Sequence, residues 1–252
     1  MPKVIDVINE IEKFAPPCLA ESYDNVGLMV GSKNTDVTGV YIALNLSERV
    51  IEDAINNGCN FILTHHPLIF NPLTSVDYDS ISGKLVKLLV KNDICVYSAH
   101  TSADNAPQSI GQKNLVDIGC NGVVKDGEVV YGSVNNVLVK DIAERVRKVT
   151  GDKNLLVAKP NKVVKKVAHV NGSGGRMDDL LAVLKENDVD LYISSEFKYS
   201  FLCDLVSEDI AVIEINHFNA EKSFITIMEN ILSKNFDRVI SCPFSQNPYE
   251  EE

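Results

Sequence analysis

The stretch VTGVYIALNLSERVIEDAINNGCNFILTHHP, residues 37–67, decides the fold class. A β-branched apolar run, VTGVYIAL, gives way to SERVIEDAINN, where Val50, Ile51, Ala54 and Ile55 share one helical face, and a second apolar run, NFILT, follows. Ser47 offers a side-chain oxygen to cap the helix start, and Gly58 can take the left-handed conformation that ends it. Strand, helix and strand in this order predict a βαβ unit, whose connecting helix lets the two strands run parallel.

The same alternation extends in both directions. An opening helix carries Val4, Ile8 and Ile11 on one stripe and is stopped by Pro16 and Pro17. Beyond residue 67 come a helix near Ile81 to Lys91, strand ICVYSA, a helix near Val137 to Thr150 closed by Gly151, and strands around LLVA and KVAHV. A helix from Met177, strand DLYIS, a helix over Phe197 to Val206, strand IAVIEI, a helix after Asn219 and a last strand RVISC complete the pattern. The expected class is α/β with largely parallel sheet flanked by helices. Residues Gly119 to Ser133 hold four glycines and little period, so a boundary is placed there, giving lobes 1–125 and 126–252, with one continuous core shared by the lobes as the alternative.

Composition narrows the function. An apolar content of 45% and a charged content of 23% are those of a globular protein and exclude disordered, collagen-like and membrane classes. No apolar run approaches the roughly 18 residues of a membrane span, and the acid-bearing stretch MPKVIDVINEIEKF is not expected to act as a signal peptide. Cys18, Cys59, Cys95, Cys120, Cys203 and Cys242 stand singly, with no CxxC pair, which points to reduced thiols and a cytoplasmic location. A net charge of -11 opposes nucleic-acid or anionic-membrane binding. One segment runs against that average: Arg145, Arg147, Lys148, Lys153, Lys159, Lys162, Lys165 and Lys166 are accompanied only by Asp152. It reads as a solvated face or as a patch for a phosphate-bearing ligand or partner.

In α/β sheets, functional groups gather beyond the carboxyl ends of the strands. His65 and His66 follow NFILT, His100 follows ICVYSA, Glu196 follows DLYISS, and His217 follows AVIEIN. His65 and His66 can serve one site only if the backbone leaves strand geometry there, and Pro67 favours that departure. Two strands each run into a His-x-x-x-acid pattern, His100 to Asp104 and His217 to Glu221, as duplication or coincidence would produce. The fifth histidine, His169, alternates with apolar neighbours and is expected to be a strand residue without a catalytic role. Singly, Asp104 and Glu221 read as turn or cap acids. Jointly with His65, His66 and His217 they form a nitrogen and oxygen donor set suited to zinc, iron, manganese, nickel or cobalt. Five donors exceed what one catalytic zinc with an open position takes, so two ions are expected.

The chain resembles the dinuclear-metal proteins called GTP cyclohydrolase type 2 homologues, or NGG-interacting-factor-like proteins. The resemblance covers nearly the whole chain and rests on Tyr23-Asp-Asn-Val-Gly-Leu28, Thr64-His-His-Pro-Leu-Ile-Phe70, His100-Thr-Ser-Ala-Asp104, Gly172-Ser-Gly174, Ser195-Glu-Phe-Lys-Tyr199 and His217-Phe-Asn-Ala-Glu221. It implies that His65, His66, Asp104, His217 and Glu221 bind two divalent metal ions (zinc, iron or manganese), with His100 and Glu196 lining the pocket as the catalytic candidates. It also implies two similar α/β lobes facing each other across the metal site, and assembly into toroidal homohexamers. Asn216 stands where the family often has glycine, and Ser200 where it often has histidine.

Two main functions are weighed, beside a third possibility, metal delivery or storage. The first is metal-dependent hydrolysis of a phosphorylated or nucleotide-like small molecule, with His100 or Glu196 moving the proton. In that reading, backbone N–H groups of the GSGG segment after KVAHV would face a phosphate, or the segment is simply a tight strand-to-helix turn. The second is a metal-stabilised oligomeric scaffold or regulator that engages a partner or nucleic acid through the basic 145–166 segment. Opening a purine ring would demand guanine recognition, which no motif supplies.

Overall fold

A computed structural model of the protein describes residues 1–249. The chain divides into two compact units: Met1–Pro107 together with the described chain from Phe224 onward, and Gln108–Ser223. The units therefore do not follow the linear halves 1–125 and 126–252. The reason is a returning strand, since the last β-segment pairs within the first sheet and carries the C-terminal region back to it.

In chain order, the first unit opens with α1 (Val4–Phe14), β1 (Gly27–Val30), β2 (Val40–Ala43), α2 (Glu48–Asn56), β3 (Phe61–Thr64), α3 (Ile81–Lys91), β4 (Cys95–Ser98) and the single-turn helix α4 (His100–Asp104). The second unit contains α5 (Ile110–Asp117), β5 (Asn121–Asp126), β6 (Val129–Leu138), α6 (Val139–Thr150), β7 (Leu156–Ala158), β8 (Val163–His169), α7 (Leu180–Glu186), β9 (Leu191–Ser194), α8 (Tyr199–Ser207), β10 (Ala211–Glu214) and α9 (His217–Glu221). Helix α10 (Ser223–Leu232) and β11 (Val239–Ser241) bring the chain back to the first unit.

The first sheet has the order β1-β4-β3-β2-β11. Strands β2, β3 and β4 are parallel and in register, Ala43 opposite Thr64 and Thr64 opposite Ser98, so their carboxyl ends finish level. β11 adds in parallel to β2, and only β1 runs antiparallel. The predicted βαβ unit is present with its expected caps: Ser47 Oγ accepts from the Val50 amide, and Gly58 sits at φ +68. Val50, Ile51 and Ala54 are fully buried against Tyr41, Ile62 and Val96. Each such burial stabilises by roughly 1.5–3 kcal/mol for the larger side chains, against about 1 kcal/mol for the cap, so packing dominates and the cap sets the boundary.

The second sheet has the order β5-β6-β8-β9-β10-β7 and differs from the expectation of a largely parallel one. Only β8, β9 and β10 are parallel, while β5, β6 and β7 pair antiparallel. The glycine-rich 119–133 segment is the cause. It is a hairpin, β5 and β6, turning at Gly127 with φ +56, and not a boundary loop. Core side chains cover both sheet faces: Val139, Ile142, Val146, Val167 and Ile213 on one side, and Tyr131, Tyr192, Phe201, Leu205 and Val212 on the other.

Candidate metal centre

In the first unit the site grows from the level ends of β3 and β4. Strand pairing of β3 stops at Thr64, and the chain bends over His65 and His66 while their amides still donate to Ala43 and Leu44 carbonyls at 3.3 and 3.0 Å. The bend turns both rings the same way, with centroids 4.9 Å apart. Beyond β4, the His100 amide donates to the His65 carbonyl at 2.9 Å and starts α4. Ligand atoms of His65, His66 and His100 consequently lie within 4.8 Å of one another. Asp104, one turn further on, brings a carboxylate oxygen to 3.6 Å from Nε2 of His65. His65 itself has no exposed surface.

Two of these rings are held from behind. His66 Nδ1 lies 2.7 Å from Asn45 Oδ1. Asn45 is in turn fixed by Gln246, whose amide donates to the Asn45 carbonyl at 2.6 Å. His100 Nδ1 lies 2.7 Å from Asp24 Oδ1, and the second oxygen of Asp24 accepts from the Thr101 amide at 3.1 Å and from the Thr101 hydroxyl. Burial pushes the Asp24 carboxyl up, but the bonds from His100 and Thr101 outweigh it and hold it at about 2. His100 adopts φ +30, a conformation rare for a side chain of its size. Asn45, Gln246 and the anchoring role of Asp24 escape sequence reasoning, because each partner is remote along the chain.

In the second unit the donors follow β9 and β10. His217 and Glu221 share α9, with Nε2 and Oε2 3.0 Å apart, and Glu221 is nearly fully buried. Glu196, after β9, places Oε1 2.6 Å from Nδ1 of His217. Burial would lower the His217 pKa, yet hydrogen bonds and charge from Glu221 and then Glu196 raise it to about 9. Gly172, at φ +58, passes directly over this pair. A Cβ there would meet Glu221 Oε1 at 2.6 Å and His217 Nε2 at 3.4 Å, so only glycine admits the carboxylate. Both His-x-x-x-acid patterns thus become five-residue helices after a parallel strand, but with different pairings. His217 meets its own Glu221, whereas His100 meets Asp24 and Asp104 meets His65.

The rest of the glycine cluster is a tight turn. The amides of Gly175, Arg176 and Met177 donate to Ser195, Ser173 and Gly174 carbonyls, so they serve the turn and not a phosphate. His169 lies in the core, 1% exposed, with Nδ1 2.9 Å from the Ile193 carbonyl oxygen and Nε2 2.7 Å from Asn171. The basic 145–166 segment is partly neutralised: Lys159 and Lys162 both pair with Asp209, and Arg147 with Glu144. Its one acid, Asp152, is buried and accepts from the Asn216 amide at 2.6 Å, shaping the turn that leads into His217.

Each unit thus combines imidazole and carboxylate donors at the ends of parallel strands, a donor chemistry that fits a divalent transition metal. The cradle at Gly172, which a single methyl group would fill, fits the same purpose. Comparison with known proteins places the chain in a class that shares this fold. The family model Duf34/NIF3 (NGG1p interacting factor 3) matches residues 2–248, and the chain belongs to that family. It is 36% identical over 230 residues to a GTP cyclohydrolase 1 type 2 homolog of Clostridium perfringens, covering 87% of each chain. A homolog of the same name from Clostridium acetobutylicum is 32% identical, with 98% of each chain covered. Among solved structures, a Staphylococcus aureus protein superposes with a TM-score of 0.88 at 21% identity, covering 100% of this chain and 99% of that one. Reduced HcgD from Methanocaldococcus jannaschii gives 0.84 at 27% identity, covering 96% and 98%. Among the described residues, no helix is long and apolar enough to cross a membrane.

Proposed function

We propose that the protein is a dinuclear, divalent-metal-dependent hydrolase acting on a phosphorylated or nucleotide-like small molecule. His65, His66 and Asp104 are the metal donors of the first unit, and His217 and Glu221 those of the second. The observation that carries this reading is the meeting of three imidazoles within 4.8 Å, with Asp104 3.6 Å from the buried His65, at the ends of parallel strands. A pair of divalent ions, when bound, supplies Lewis acidity and charge neutralisation for displacement at phosphorus.

The chain's own residues do the remaining work. Asn45 and Asp24 orient His66 and His100, and His100 moves the proton, since its ring stands beside both donor imidazoles and its side chain is 20% exposed. The nucleotide-like class is supported by the relatives' name, GTP cyclohydrolase 1 type 2 homolog. The ring-opening reaction in that name is not carried over, because no motif of the chain supplies guanine recognition. The cytoplasm and a homohexameric assembly complete the proposal, the latter tested by light scattering on the eluting protein.

The test is a panel of phosphoesters and nucleotides offered to protein loaded with Zn²⁺, Mn²⁺ or Fe²⁺. Turnover of one class, abolished by Asp104→Ala and lowered about 10²- to 10⁴-fold by His100→Gln, is expected. Turnover that survives Asp104→Ala would overturn the proposal.

A further inference from the structure

The loop after β9 is built with more restraint than its length requires. Gly175 donates to the Ser195 carbonyl at 2.9 Å and accepts from the Lys198 amide at 3.0 Å, locking the loop onto the glycine turn. A Cβ on Gly175 would meet the Ser195 oxygen and Phe197 backbone at 2.5–2.6 Å, so the approach exists only because that position is glycine. Between these two clamps Glu196 is held at φ +57, a left-handed conformation that residues with a side chain rarely adopt. Strain of this kind persists where the surroundings over-determine it.

Both oxygens of Glu196 are engaged: Oε1 lies 2.6 Å from His217 Nδ1 and Oε2 lies 2.9 Å from Arg176 Nη2. Arg176 is 63% exposed and Glu196 34%, so the ion pair contributes little stability. It repays the strained backbone by orientation instead. A carboxylate behind an imidazole keeps the proton on the nitrogen it faces and leaves the other nitrogen free to ligate.

We infer that Glu196, braced by Arg176, is a positioning residue that fixes the His217 ring with Nδ1–H toward the carboxylate and Nε2 directed to the Glu221 side. This rests on the metal role of His217 proposed above, and it replaces proton transfer as the part played by Glu196, whose oxygens are already committed.

The experiment compares wild type, Glu196→Ala and Glu196→Gln, with Zn²⁺ as the probe. Zn²⁺ affinity is read by competition with a chromophoric chelator. The His217 tautomer is read by ¹⁵N NMR of the metal-free protein at a pH where the spectrum shows the imidazole neutral. Glu196→Ala is expected to lower affinity about 10- to 100-fold and to abolish the Nδ1–H preference. Glu196→Gln, which keeps an oxygen acceptor, is expected to restore much of both. Unchanged affinity together with an unchanged tautomer in Glu196→Ala would overturn the inference. Absence of Zn²⁺ binding by the wild type would sink the metal reading, and the tautomer comparison would then decide the role of Glu196 by itself. Should Glu196→Ala not fold, Glu196→Met takes its place, removing the acceptor while keeping the length of the side chain, and unchanged affinity together with an unchanged tautomer in it overturns the inference.

Discussion

The carboxylate of Asp24 and the imidazole of His100 stand 76 residues apart in sequence and 2.7 Å apart in space. Because the Asp24 side chain is fully buried and its other oxygen takes the Thr101 amide, removing the charge affects two residues of α4 together. Asp24→Ala is expected to destabilise the protein by about 1–3 kcal/mol, the cost of orphaning buried partners. The charge also has a pH signature. The Asp24 carboxyl titrates at about 2 when folded against 3.8 ordinarily, so its contribution is fully present above pH 3.8 and is lost as the pH falls through 2. Urea midpoints between pH 5 and 2 should therefore drop less steeply in Asp24→Asn than in wild type, and equal slopes would contradict this assignment.

Gly172→Ala separates backbone strain from ligand displacement. The added methyl group meets Glu221 Oε1 at 2.6 Å and also carries the φ +58 penalty, so a loss of roughly 1–2 kcal/mol in stability should come with weakened Zn²⁺ binding. Gly58→Ala is the matched control, at φ +68 with only the end of the Arg238 side chain in its way. It should cost similar stability and leave Zn²⁺ titrations unchanged. Equal Zn²⁺ affinity in the two variants would remove Gly172 from the site.

Asp152 is the lone acid of a basic segment, yet it is 3% exposed and bonded to the Asn216 and Asn154 amides. Asp152→Ala should lower the thermal midpoint by an amount corresponding to about 1–3 kcal/mol and loosen the turn before His217. Amide hydrogen exchange at Asn216 would report the loosening directly, and protection equal to wild type would refute it.

Much of this architecture is legible in the sequence because local signals agree with it. The helix over Ile81 to Lys91, the Ser47 cap and the Gly151 stop are set by neighbours within four residues, and the structure places each as expected. The β5–β6 hairpin was legible in principle, since Asp126-Gly127 sits between apolar runs as hairpin turns do, but four glycines obscured the alternation. The mixed pairing of the second sheet and the return of β11 to the first sheet depend on long-range partners that no local period encodes. Among the site residues, the histidines and acids declared themselves by residue type. Their supports did not: Asn45, Gln246 and Asp152 are ordinary polar residues whose roles come entirely from what the fold sets beside them.

The central claim is that imidazoles and carboxylates from both units bind divalent metal. Titration of metal-free protein with Zn²⁺, checked by elemental analysis after dialysis, tests it most directly. The account predicts two ions per chain, with His65→Ala and Glu221→Ala each lowering the retained metal while the far-ultraviolet circular dichroism stays that of wild type. Retention of no ion by the wild type, or full retention by both variants, would contradict it.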